Sequence, residues 1–75
     1  MTLNYRPFIT RDPKICGGEP VVAGTRVTVR TVLASLAEGM TADEIVADFP
    51  ELTAAHVLAA LEFAAMREHR LATPA

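Results

Sequence analysis

The chain changes character at Thr28, and that change limits what it can fold into. Pro7, Pro13, Gly17, Gly18, Pro20 and Gly24 all precede it. Such a density of turn residues allows only short extended pieces. From Val29 onward the apolar residues take up a helical period. Val29, Val32, Leu33 and Leu36 fall at i, i+3, i+4 and i+7, which is one face of a helix. With 75 residues there is room for a single domain and no second one.

Three helices are predicted after the change. Thr28 is placed to cap the first at its N-terminus, and Gly39 sits where a left-handed C-terminal residue is wanted. Thr41-Ala42-Asp43-Glu44 reads as a capping box opening the second, with Met40 and Ile45 as its hydrophobic staple. Ile45, Val46 and Phe49 supply the apolar face of that helix, and Pro50 ends it. Thr53 is the cap candidate for the third, with Leu52 and Val57 as staple. Its expected buried stripe is Val57, Leu58, Leu61 and Ala65, extended to Met66, and it is expected to run to about Arg70.

The first part reads as Phe8-Ile9, Ile15-Cys16, Val21-Val22 and Val27 in short extended segments. Val21-Val22 and Arg26-Val27-Thr28 flank Ala23-Gly24-Thr25, which suggests a small hairpin. Residues 8–28 are therefore expected to form β-segments and turns, residues 29–70 a three-helix unit, and residues 71–75 a frayed tail. The whole is one mainly α domain, 1–75, with a helix-turn-helix made by its second and third helices. A core this small rarely supplies more than about 3–5 kcal/mol, and an isolated hairpin leaves open edges. Both point to a homodimer, with a second chain covering the β-segment.

Composition excludes several classes. Apolar residues make up 51% and charged residues 21%, too apolar a mixture for a disordered tail. No apolar run approaches the roughly 20 residues of a membrane span, and the N-terminus lacks the apolar stretch of an export signal. Cys16 is the only cysteine, so no internal disulfide is available, which fits a reducing cytoplasm. The formal charge of −2 hides an asymmetry. Arg6, Arg11, Lys14, Arg26 and Arg30 face only Asp12 and Glu19 in residues 1–37, a net +3. Arg67 and Arg70 face Glu38, Asp43, Glu44, Asp48, Glu51, Glu62 and Glu68 afterwards, a net −5.

Little in the chain suggests catalysis. Cys16 could meet a histidine in space as a nucleophile with its base, or serve as a small semi-buried apolar residue. His56 and His69 lie too far apart on one helix to chelate a single ion, and they lack the paired spacing of zinc ligands. His56 is expected as a solvated side chain near a turn. Gly17, Gly18 and Gly24-Thr25 match no nucleotide fingerprint and read as loop-shaping residues. No catalytic residue, metal ligand or cofactor site is expected. Duplex DNA is the partner that the residues favour, by an unusual route. The third helix would offer Thr53, Ala54, Ala55 and His56, a poor set for reading bases. Asp43, Glu44 and Asp48 on the helix before it would repel phosphates. Contact would come from Arg26 and Arg30, supported by Arg11 and Lys14.

The run Ile15-Cys16-Gly17-Gly18-Glu19-Pro20-Val21-Val22-Ala23-Gly24-Thr25-Arg26-Val27-Thr28-Val29 resembles the signature of the domain-of-unknown-function 433 (DUF433) family. The likeness continues through Glu38-Gly39-Met40-Thr41, Glu44-Ile45 and Phe49-Pro50-Glu51-Leu52-Thr53, covering about residues 8–65. It implies a homeodomain-like or winged-helix-like trihelical fold that binds DNA. It further implies a bacterial antitoxin, similar to VapB in role, that neutralises a PIN-like ribonuclease toxin by direct binding and represses its own operon. The acidic residues Asp43, Glu44 and Asp48 are then candidates for toxin binding, because a ribonuclease groove is usually cationic. The alternative is a protein-interaction or dimerisation module that never touches DNA. A small enzyme or ligand-binding protein built on the Cys16 turn is the remaining option.

Overall fold

A computed structural model describes residues 5–71, with side chains followed as far as Glu68. Two short strands, β1 (Ile9–Thr10) and β2 (Val21–Val22), precede three helices: α1 (Val29–Ala37), α2 (Ala42–Asp48) and α3 (Ala54–Leu71). The domain is mainly helical, with one short antiparallel β pair near its N-terminus, and α2 and α3 form the helix-turn-helix. Residues 72–75, most of the expected tail, lie outside the described residues.

The strands pair differently from the expected hairpin. β1 and β2 are antiparallel, with Ile9 opposite Val22 and Thr10 opposite Val21. The far side of β2 is also engaged: Val21 bridges to Thr28, and the Val22 N–H donates to the Val27 carbonyl at 2.9 Å. The 21–28 hairpin is thus present as one bridge, and β1 supplies the second partner. Both edges of β2 are covered from within the chain, so it needs no second copy to satisfy it.

Ile15-Cys16 is not an extended pair. Ile15 is extended, but Cys16, Gly17 and Gly18 have φ of 51°, 66° and 85°. Three successive left-handed residues make a tight turn, closed by Gly18 N–H to Ile15 O at 3.0 Å. Glycine at two of the three positions removes the Cβ clash that the left-handed region otherwise imposes.

The helix ends follow their caps. The Thr28 hydroxyl accepts from the Thr31 N–H at 3.1 Å. At the other end of α1, Gly39 has φ of 96°. Its N–H donates to Leu36 O, and the Met40 N–H reaches back to Ser35 O at 3.1 Å, the paired bonds of a Schellman stop. Both halves of the α2 capping box are formed: Glu44 N–H to Thr41 Oγ1 at 3.2 Å and Thr41 N–H to Glu44 Oε1 at 2.8 Å.

The core lies where the β pair meets the inner faces of the helices. Val22, Val32, Ile45, Leu52 and Val57 are almost wholly enclosed. In α3 the buried residues are Val57, Ala59, Ala60 and Phe63, which corrects the expected stripe. Leu58 and Leu61 are 57% and 43% exposed, and Ala65 and Met66 face solvent too. Ala59 and Ala60 let the helix sit close against its neighbours, and Phe63 then fills the space beneath.

Candidate nucleic-acid and partner interface

The Gly24-Thr25-Arg26 turn is built to display an arginine. Gly24 takes φ of 79°, and the Thr25 N–H donates to Val22 O at 3.0 Å. The Thr25 hydroxyl donates to that same carbonyl at 2.8 Å and accepts from the Val27 N–H at 3.0 Å. One side chain thereby ties both ends of the turn. Arg26 follows directly after Thr25, exposed to solvent. The Cys16 thiol donates to the Arg26 carbonyl at 3.4 Å, joining the left-handed Cys16–Gly18 turn to this one. Gly17, Gly18 and Gly24 have positive φ, and the Thr25 hydroxyl bonds within the Gly24 turn.

Arg30, in the first turn of α1, meets Glu19 through two parallel bonds, Nε to Oε1 at 3.1 Å and Nη2 to Oε2 at 3.0 Å. The pair is not sealed in: Arg30 is 77% and Glu19 41% exposed. An exposed pair of this kind contributes no more than about 1 kcal/mol, so a stronger anion can displace or share it. Lys14 is exposed in the loop before Cys16, where its N–H donates to the Asp12 carboxylate at 2.9 Å. Arg11, just after β1, has its guanidinium carbon 5.8 Å from the centre of the Phe63 ring. Arg67 approaches the same ring at 5.9 Å, and Tyr5 meets it edge-on at 5.4 Å.

In α2, Asp43 and Asp48 are exposed. Glu44 is exposed as well, and its Oε1 accepts from the Thr41 N–H in the capping box.

His56 has a role that its position in the sequence did not reveal. It is half-buried. Its Nδ1 accepts from the Thr53 N–H at 2.9 Å, in the place a glutamate would fill in a capping box. Its ring packs edge-on against Phe8 at 5.5 Å. It therefore caps and packs while remaining partly solvated. The only available signal was a hydrogen-bond acceptor three residues after Thr53. The Cys16 thiol bonds to the Arg26 carbonyl and the His56 Nδ1 to the Thr53 N–H. Among the described residues no group of three His, Cys, Asp or Glu could hold a metal ion. The side chain of His69 lies outside them. No helix among them is long and apolar enough to cross a membrane.

A groove of about 630 Å³ runs between α1 and α3. Val29, Leu33, Ala34, Ala37, Phe63 and Ala64 form its apolar floor, and the Glu19–Arg30 pair, Arg67 and Glu68 line its rim. In α3, Glu62 has Oε1 shut off from solvent with no hydrogen-bond partner among the described residues.

Comparison with known proteins agrees with the local geometry. A family model described as "Protein of unknown function (DUF433)" matches residues 9–64. The uncharacterized protein y4eO of Sinorhizobium fredii (strain NBRC 101917 / NGR234) is 45% identical over 49 residues, covering 65% of this chain and 22% of that protein. The crystal structure of a DUF433 member protein from Anabaena variabilis ATCC 29413 superposes with a TM-score of 0.77 at 29% identity, covering 87% of this chain and 64% of that one. The chain thus spans about a fifth of its curated relative and under two thirds of its structural relative.

Proposed function

The chain belongs to the DUF433 family, and from that premise we propose that it is a non-catalytic, antitoxin-like regulator of a bacterial type II toxin–antitoxin system. It works in the cytoplasm without a cofactor. It grips duplex DNA through Arg26 and Arg30, with Arg11 and Lys14 in support, and neutralises a PIN-like ribonuclease toxin by direct binding. The observation that carries the DNA half is the Thr25-clamped turn, which holds Arg26 out in solvent. Arg30 stays exposed beside its ion pair and retains an uncommitted Nη1 for a phosphate oxygen. Such contacts position a protein on the backbone without reading sequence.

A gel-shift titration against the chain's own upstream duplex tests this. Arg26→Ala with Arg30→Ala is expected to weaken binding and to lower the slope of log affinity against log salt by about 2, one for each lost phosphate contact. Unchanged affinity and slope would remove DNA binding from the reading.

The toxin half rests on Asp43 and Asp48, exposed acids of α2. Reversing both to lysine is expected to abolish co-purification with the toxin, and retained binding would discard this surface. Glu44 is left out of that test because its side chain also supplies the return bond of the α2 capping box. A second reading, a protein-interaction module that leaves DNA alone, is favoured by the first turn of α3. Thr53, Ala54 and Ala55 offer none of the arginine, lysine, asparagine or glutamine side chains that read bases bidentately. Absence of any duplex shift, together with tight capture of a neighbour-encoded protein, would select it.

A further inference from the structure

Helix α3 has two apolar faces, and the domain uses one. Val57, Ala60 and Phe63 point into the core. Ala54, Leu58, Leu61, Ala65 and Glu68 form a separate ridge that is exposed throughout. Successive steps along it are four, three, four and three residues, the seam by which one helix packs along another. The helix is 18 residues long, about 27 Å at 1.5 Å per residue, and so offers a continuous contact.

We propose that this ridge is the contact between two copies of the chain, with α3 packed antiparallel to α3 of the second copy about a two-fold axis near Leu61. A two-fold contact requires a surface complementary to itself, and the ridge has that property in size and in charge. With Leu61 at the axis, Leu58 lies opposite Ala65 of the second copy, so a large side chain meets a small one. Glu68 lies opposite Ala54 in the first turn of the second copy's helix. That turn contains no acidic residue of its own, and its backbone N–H groups make it the positive end of the helix. Parallel packing would instead set Glu68 against Glu68, two like charges at the end of the seam. The ridge includes no residue of the β pair or of the Arg26 turn.

Sedimentation of the whole chain without nucleic acid tests the contact. The mass of two chains is expected, and Leu61→Glu should raise the dissociation constant about thirtyfold or more while the helical circular-dichroism signal stays unchanged. Orientation is read by cross-linking in a Cys16→Ser background. Leu61→Cys should form a disulfide-linked pair on oxidation, and Ala54→Cys should not, because the two Ala54 positions lie at opposite ends of the seam. A monomeric chain, a Leu61→Glu variant as dimeric as the parent, or ready cross-linking through Ala54→Cys would each overturn the proposal. DNA plays no part in these measurements, so their failure would leave the arginine reading standing.

Discussion

Replacing Phe63 by alanine is expected to leave the chain largely unfolded at room temperature. The side chain is 7% exposed, and removing a buried phenylalanine costs about 3–5 kcal/mol. That is the whole of what a core this size supplies, about 3–5 kcal/mol. The ring is also where separate parts of the chain meet: Tyr5 from the N-terminal turn, Arg11 after β1, and Arg67 from the next turn of α3. Phe63→Leu separates volume from ring. It keeps most of the buried bulk and gives up the aromatic edge contact and the two cation contacts, for about 1–2 kcal/mol. Urea unfolding followed by circular dichroism, at one fixed chain concentration, measures both. A leucine variant as unstable as the alanine variant would mean that the ring's electrostatic partners, and not its bulk, hold α3 to the β layer.

Ile45→Ala is the second large effect, expected at about 2–5 kcal/mol. Ile45 is fully buried, and α2 has only seven residues. A helix that short is far below the roughly 12–15 residues at which isolated helices become even marginal in water. The capping box organises its first turn, but Ile45 is its one fully buried side chain. The substitution should therefore remove the α2–α3 arrangement along with the buried methyl groups. Loss of helical signal beyond one side chain's share, and a lowered urea midpoint, are the expected readings. A midpoint within a few tenths of a molar of the parent would show that the cap alone holds the segment.

The helical half was legible because its signals are local. Thr28, the Thr41–Glu44 box, Gly39 and Pro50 each act within a turn of where they stand, and α1 and α2 begin and end beside them. The third helix was correctly bounded but wrongly phased. Leu58 and Leu61 carry the hydrophobic weight in the sequence, whereas close approach belongs to Ala59 and Ala60, which a count of hydrophobic weight passes over. The β pairing was half legible: turn residues around Gly24 announce the 21–28 contact, but nothing local links Ile9 to Val22 across the intervening loop. For the candidate site, the arginines and loop glycines could be named from residue type. The Glu19–Arg30 pair could not, because its partners stand eleven residues apart and meet only once the Pro20 segment turns into α1. His56 was misread for a related reason: its hydrogen bond is local, but its half-burial depends on Phe8.

The run of mirror-image backbone at Cys16, Gly17 and Gly18 bears on how drift among relatives should be weighed. A side chain at either glycine would be disfavoured by about 1 kcal/mol or more through handedness alone, whatever the protein binds, and open space lies around the missing Cβ of Gly17. Invariance at those two sites would then testify to chirality and not to contact with a ligand. Arg26, by contrast, is under no such backbone constraint, so its persistence or loss across kin is the more telling record of selection.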